Sequence, residues 1–166
     1  MMARQTEPTM TASDRPTVIV TGAASGIGAA TARRFLREGW NLVVNHLGAA
    51  QLEAAQAIAA LAIAPGQRAI AVDADVTIDA DCVRLVQAAV DAFGRVDALV
   101  NAAGISKMVP HAHLHEVSAD DFQRIYAVNT IGPFQMIRAA APELIAAGQA
   151  AVVNISSRAA LMGSGS

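Results

Sequence analysis

The sequence predicts a three-layer α/β/α domain built on a doubly wound parallel sheet and ending after a fifth strand. Short apolar runs alternate with Ala-rich helical stretches along the whole chain. The runs are apolar on both faces, as strands covered by helices on each side must be. Right-handed crossovers then lay each helix against the sheet. With 166 residues, a net charge of -2 and 54% hydrophobic side chains, the chain fits one domain with enough apolar material for a core.

Thr17-Val18-Ile19-Val20 is a β-branched run ended by Thr21-Gly22, hence a first buried strand. A helix follows from Gly26 to Glu38, carrying Ile27, Phe35 and Leu36, with Gly39 at its C-cap. Leu42-Val43-Val44 is the second strand, and Ala49 to Ala64 the second helix, with Leu52, Ile58 and Leu61 before Pro65-Gly66. Ala69 to Val72 is the third strand. Val83, Val86, Val90 and Phe93 then recur at helical spacing before Gly94. Ala98-Leu99-Val100 is the fourth strand, followed by a loop to Val117. Ser118 with Asp121 marks the start of a long helix from Ala119 to Ala147, in which Pro142 introduces a kink. Gly148 closes it, and Ala151 to Ile155 is the fifth strand. Two regions result: a loose tail over 1–16 and one domain over 17–166.

Composition excludes several classes. Such apolar content excludes disorder across the chain. With 12 Lys+Arg against 14 Asp+Glu, no basic surplus exists for a nucleic acid. Cys82 is the sole cysteine, so neither an internal disulfide nor a Cys-rich metal cage forms, which suits the reducing cytoplasm. No run reaches the roughly 18 apolar residues of a membrane span, and Met1 to Pro16 lacks the apolar core of a signal peptide.

Thr21-Gly22-Ala23-Ala24-Ser25-Gly26-Ile27-Gly28 joins the first strand to the first helix, the context a dinucleotide fingerprint requires. Glycines let the backbone approach a pyrophosphate without a Cβ clash, and the helix N-terminus presents free N–H groups and a positive dipole end. No Gly-Lys-Ser/Thr follows, so the loop is not a P-loop.

With Gly22, Gly26 and Gly28 in the pattern T-G-x-x-x-G-x-G, the sequence resembles the short-chain dehydrogenase/reductase family, a branch of the Rossmann-type nucleotide-binding folds. Asp75-Val76, Asn101-Ala102-Ala103-Gly104, Asn129 and Asn154-Ile155-Ser156-Ser157 match further family segments in order. The resemblance, spanning Thr17 to Ser157, implies hydride transfer between NADP or NAD and a small alcohol or ketone. It implies that Gly22, Ser25, Gly26, Ile27 and Gly28 hold the pyrophosphate, that Asp75 and Val76 hold the adenine, and that Asn101, Ala102, Ala103 and Gly104 line the ribose side. Asn129 would support a proton relay and Ser157 orient the carbonyl. A homo-oligomer, dimer or tetramer, is expected of the complete protein, with neither membrane nor nucleic-acid partner. Each matching residue also has a structural reading, since Asp75 can cap a turn, Asn101 can satisfy loop backbone, Asn129 can bond a helix carbonyl, and serines can end a strand.

The family's general acid is a tyrosine in Y-x-x-x-K, more than a dozen residues beyond the serine. Here only 9 residues follow Ser157, Tyr126 is the sole tyrosine and Lys107 the sole lysine. Thr130 lies four residues beyond Tyr126, which is therefore expected to pack within its helix. The 166 residues are accordingly expected to be an incomplete and inactive portion, with Gly163 to Ser166 a natural loop or a linker end. A catalytically dead fragment that binds only nucleotide or a partner chain is the alternative. A Rossmann-type methyltransferase is disfavoured because no acid closes the second strand, where Asn45-His46-Leu47-Gly48 stands. That same absence of a repelling carboxylate leans toward NADP. His46 either contacts the ribose or is a solvated loop residue. His111, His113 and His115 alternate but border the crevice or solvent rather than bind metal, and Cys82 is expected to pack.

Overall fold

The computed structural model describes residues 14–161. Its elements are β1 (Thr17–Val20), α1 (Gly26–Arg37), β2 (Asn41–His46), α2 (Leu52–Ala59), β3 (Ala69–Asp73), α3 (Asp79–Phe93), β4 (Ala98–Asn101), α4 (Ala119–Tyr126), α5 (Gly132–Ala146) and β5 (Ala151–Asn154). The sheet is parallel throughout, in the order β3-β2-β1-β4-β5. That order is the Rossmann-type doubly wound arrangement, and it places a crevice where connections from β1 and β4 diverge.

Alternation along β1 splits the core into two layers. Val18 and Val20 pack with Ala29, Ala32 and Leu36 of α1 and Ile58 of α2. Ile19 faces the other way, into Leu85, Ala89 and Phe93 of α3 and Met136 and Ala140 of α5. Helices therefore cover both faces, which is why β1, β2 and β4 are buried at every position. β5 pairs only with β4 and is exposed along its length.

Several sequence expectations are corrected. β2 runs through Asn45 and His46, because these pair with Val72 and Asp73 of β3. The second helix is shorter than expected: a 3-10 turn occupies Ala49–Gln51, and past Ala59 the amides of Leu61 and Ala62 switch to carbonyls three residues back. On α3 the buried stripe is Cys82, Leu85, Val86, Ala89 and Phe93; Val86 and Phe93 lie on it as the spacing predicts, whereas Val83 is exposed and Cys82, one position earlier, takes its place on the face that meets the sheet. Cys82 packs as expected. The long helix does run from Ala119 to Ala146, but Ala127–Ile131 winds as a π-helix. Tyr126, expected to pack, is 60% exposed.

Of the expected tail, residues 1–13 lie outside the described residues. Arg15 is tied down, its guanidinium donating to the carbonyls of Gly39 and Pro65 at 2.8 Å each. The Gly163 to Ser166 segment also lies outside the described residues. No helix among the described residues is long and apolar enough to cross a membrane.

Candidate active site

The turn after β1 is shaped by contacts that only glycine permits. Gly22 has φ +60°, and a Cβ there would stand 2.7 Å from the Ala103 Cα and 2.9 Å from its amide nitrogen. Gly28, in the first turn of α1, would drive a Cβ into the Gly22 carbonyl. The turn, the start of α1 and the segment after β4 are therefore pressed together backbone to backbone. Gly26, at φ +53°, has nothing within 4 Å of its Cβ position. Ser25 takes the N-cap conformation without a side-chain capping bond, so the first amides of α1 keep their donors for an incoming anion.

This turn forms one wall of a cleft of about 340 Å³, within the usual range of small-molecule sites. Ser25, Gly26, Ile27 and Gly28 lie on that wall with Gly22. Asp75 and Val76 form the wall beyond β3, and Ala102, Ala103 and Gly104 the wall beyond β4. Sequence reasoning missed Gln51, Ala74, Ile105 and Val128, which also line it, and named Asn45, Leu47 and Ile155 only within segments, without placing them in the site.

Thr21 was missed as well. Its Oγ1 accepts from the amides of Ala102 and Ala103, at 3.0 and 3.1 Å, fixing the segment after β4 to the end of β1. Asp75 makes the turn-capping contact foreseen as its structural reading: its Oδ1 accepts from the Thr77 amide and hydroxyl. Its own amide donates to Asp81, whose carboxyl is held below the ordinary carboxylate range by that bond and by Arg84. Val76 is seated under α5, where Gln135 Nε2 donates to its carbonyl at 2.8 Å.

Four expected site residues stand outside the cleft lining. His46 is 3% exposed, its Nδ1 lying 3.2 Å from the Gly48 carbonyl; it belongs to β2 and is not a solvated loop residue. Asn101 is buried, donating to Asn154 Oδ1 on β5 at 2.9 Å, and its own Oδ1 has no partner among the described residues. Asn129 sits on the π-helix and clamps Ile105 twice, accepting from its amide at 2.9 Å and donating to its carbonyl at 2.8 Å. It thus bonds Ile105, which lines the cleft, and not a carbonyl of its own helix. Ser157 is exposed and caps a short 3-10 turn, its Oγ accepting from the Ala159 amide.

The loop after Ile105 is latched again by Lys107, whose Nζ reaches Asp121 Oδ2 and the Glu116 carbonyl at 2.7 Å each. Asp121 completes the capping box with Ser118, and these donors, Lys107 first, hold its carboxyl far below the usual range. His113 pairs with Glu116 at 3.0 Å, and no group of three metal-ligating side chains forms among the described residues. Cys82, fully buried beneath Val76, has its thiol pushed up to about 11 by desolvation and by Asp79, Asp81 and Asp75.

Comparison with known proteins agrees with this geometry. The family model described as short chain dehydrogenase matches residues 16–166. The chain is 40% identical over 155 residues to the candidate ketoacyl reductase 2 of the granaticin polyketide synthase of Streptomyces violaceoruber, covering 93% of this chain and 60% of that one. It is 36% identical to the 3-oxoacyl-(acyl-carrier-protein) reductase of Synechocystis, with the same coverages. Among solved structures, a candidate short-chain dehydrogenase/reductase from Burkholderia xenovorans superposes with a TM-score of 0.86 at 41% identity, over 92% of this chain and 64% of that one. A blue fluorescent protein from a metagenomic library, solved with NADPH, gives 0.77 at 34% identity over 89% and 58%. The chain thus spans about three fifths of the length of the relatives it matches. Because the match runs through every segment that builds the cleft, the chain belongs to the short-chain dehydrogenase family.

Proposed function

We propose that this chain forms the nucleotide-binding part of an NAD(P)-dependent oxidoreductase acting on a small alcohol or ketone. The observation that carries the reading is the glycine cradle at β1–α1. Gly22 and Gly28 are excluded from bearing a Cβ, while Gly26 faces open space at the cleft wall. These residues fit a dinucleotide: the amides at the start of α1 hold the pyrophosphate, Asp75 and Val76 the adenine, and Ala102, Ala103 and Gly104 the ribose side. The nicotinamide, when bound, supplies or accepts the hydride.

The remaining chemistry falls to protein groups. A carbonyl receiving hydride gains negative charge and needs hydrogen bonds and a proton at its oxygen. In this reading Ser157, whose oxygen accepts from the Ala159 amide, donates such a bond with its free hydroxyl hydrogen, and Asn129 holds the backbone of Ile105, a cleft-lining residue. Neither Tyr126 nor Lys107 supplies the proton donor. Tyr126 is exposed on α4 and Lys107 is engaged by Asp121.

NADP is favoured because β2 ends in Asn45 and His46 and carries no carboxylate of its own, the neighbouring Asp73 carboxylate of β3 being engaged by the Gly48 amide. The NADPH-bound neighbour supports a nicotinamide cofactor of this kind. A cytoplasmic homo-oligomer acting on small molecules, with no nucleic-acid partner, completes the reading. Calorimetric titration with NADPH, NADP, NADH and NAD tests it: micromolar binding of at least one is expected, tighter for the phosphorylated pair, and no binding of any refutes it.

A further inference from the structure

We infer that Asn45 is a positioning residue that joins the phosphate-binding turn to the adenine-binding segment through one buried side-chain amide. The inference rests on the cofactor reading above and assigns a role to a residue outside the glycine pattern.

Asparagine is a poor strand former, yet Asn45 stands in β2 at 2% exposure, at the floor of the cleft. All its polar atoms are engaged. Oδ1 accepts from the Gly22 amide at 3.1 Å, and the Asn45 carbonyl accepts from the Ala23 amide at 2.9 Å. Two consecutive amides of the turn thus point down into β2, leaving those that open α1 for the phosphates. On its other side, Nδ2 donates to the Ala74 carbonyl at 2.9 Å, with His46 and Val72 carbonyls at 3.1 and 3.5 Å. Ala74 immediately precedes Asp75.

No apolar residue can do this, and the two halves differ in what else supports them. The adenine segment is also fixed by Asp81 on the Asp75 amide, Thr77 on its carboxylate and Gln135 on the Val76 carbonyl. At Gly22, Asn45 Oδ1 is the acceptor that sets the amide. Removing the side chain therefore affects phosphate binding more than adenosine binding.

The test uses the 166-residue chain, with ADP and adenosine as probes beside NADPH. Asn45→Leu leaves the Gly22 amide without its acceptor, so ADP affinity is expected to fall about ten- to hundredfold, while adenosine affinity changes less than about threefold. Asn45→Asp supplies the second arm. Its carboxylate faces the Ala74, His46 and Val72 carbonyls, so the protonated form is favoured. Protonated, it donates to Ala74 and accepts from Gly22 as the amide does. ADP affinity of the Asp variant is therefore expected to recover as pH falls, relative to wild type over the same range. His46, Asp73 and Asp75, the other charged or ionisable groups near this position, are present in both proteins, so the comparison with wild type isolates the new carboxyl. Unchanged ADP affinity in folded Asn45→Leu overturns the inference, as does equal loss of both probes or a pH-independent Asp variant. Failure of the wild-type chain to bind NADPH, NADH or ADP refutes the cofactor reading itself.

Discussion

Gly26→Ala separates the binding role of the glycine turn from its structural role. Gly26 holds φ +53° and its Cβ position has no atom within 4 Å, so the substitution creates no clash. The cost to the fold is that of keeping an L residue left-handed, about 1–2 kcal/mol. For a domain of this size that lowers Tm by roughly 2–8 °C. The added methyl, however, enters the open space at the cleft wall where the proposed reading puts the pyrophosphate. Losing one charge-assisted contact there costs about 1.5–3 kcal/mol, or about ten- to hundredfold in Kd. Thermal denaturation and calorimetry with NADPH on the same sample read the two effects. An NADPH affinity within about threefold of wild type, alongside the expected fall in Tm, would refute the placement of the phosphates.

Four other outcomes are expected. Gly22→Val, which forces side-chain atoms into Ala103 and a left-handed φ, abolishes nucleotide binding and lowers stability by more than about 3 kcal/mol, read by denaturant titration. Thr21→Val orphans the Ala102 and Ala103 amides and costs about 1–3 kcal/mol for each. Cys82, with its thiol raised to about 11, resists alkylation at pH 8 in the folded chain and reacts on unfolding; because its folded pKa lies above the unfolded value, its contribution to stability is complete below pH 9 and is lost as pH rises toward 11, which denaturation at pH 8 and 11 checks. The 166-residue chain shows no turnover of alcohols or ketones in a cofactor absorbance assay, because general acid/base catalysis worth about 100- to 10,000-fold lacks its tyrosine; robust turnover would refute the account of the proton donor.

The periodic parts of the fold were legible in the sequence. All five strands and the Ser118–Asp121 capping box appear where the sequence places them, because they depend on local pattern and local capping. What escaped were features set by distant partners. The extension of β2 depends on pairing with β3, the π-turn at Asn129 is matched to Ile105 of the cleft lining, and the α3 stripe is decided by which face meets the sheet. In the site, the glycines were legible because each is required by backbone geometry. Thr21 and Asn45 act through bonds reaching 81 and 23 residues along the chain, and no spacing pattern reports such contacts. Ser157 was named from resemblance alone, and its oxygen accepts locally from the Ala159 amide.

The central claim is that the cleft between the glycine turn and the ends of β3 and β4 holds a nicotinamide dinucleotide. Amide chemical shifts of the labelled chain, recorded during titration with NADPH, test it most directly. The account predicts saturable shifts concentrated at Gly22 to Gly28, Asp75 to Val76 and Ala102 to Gly104. Saturable shifts confined to the groove between α5 and β5, around Leu144, Gly148 and Val152, or no shifts at millimolar NADPH, would contradict it.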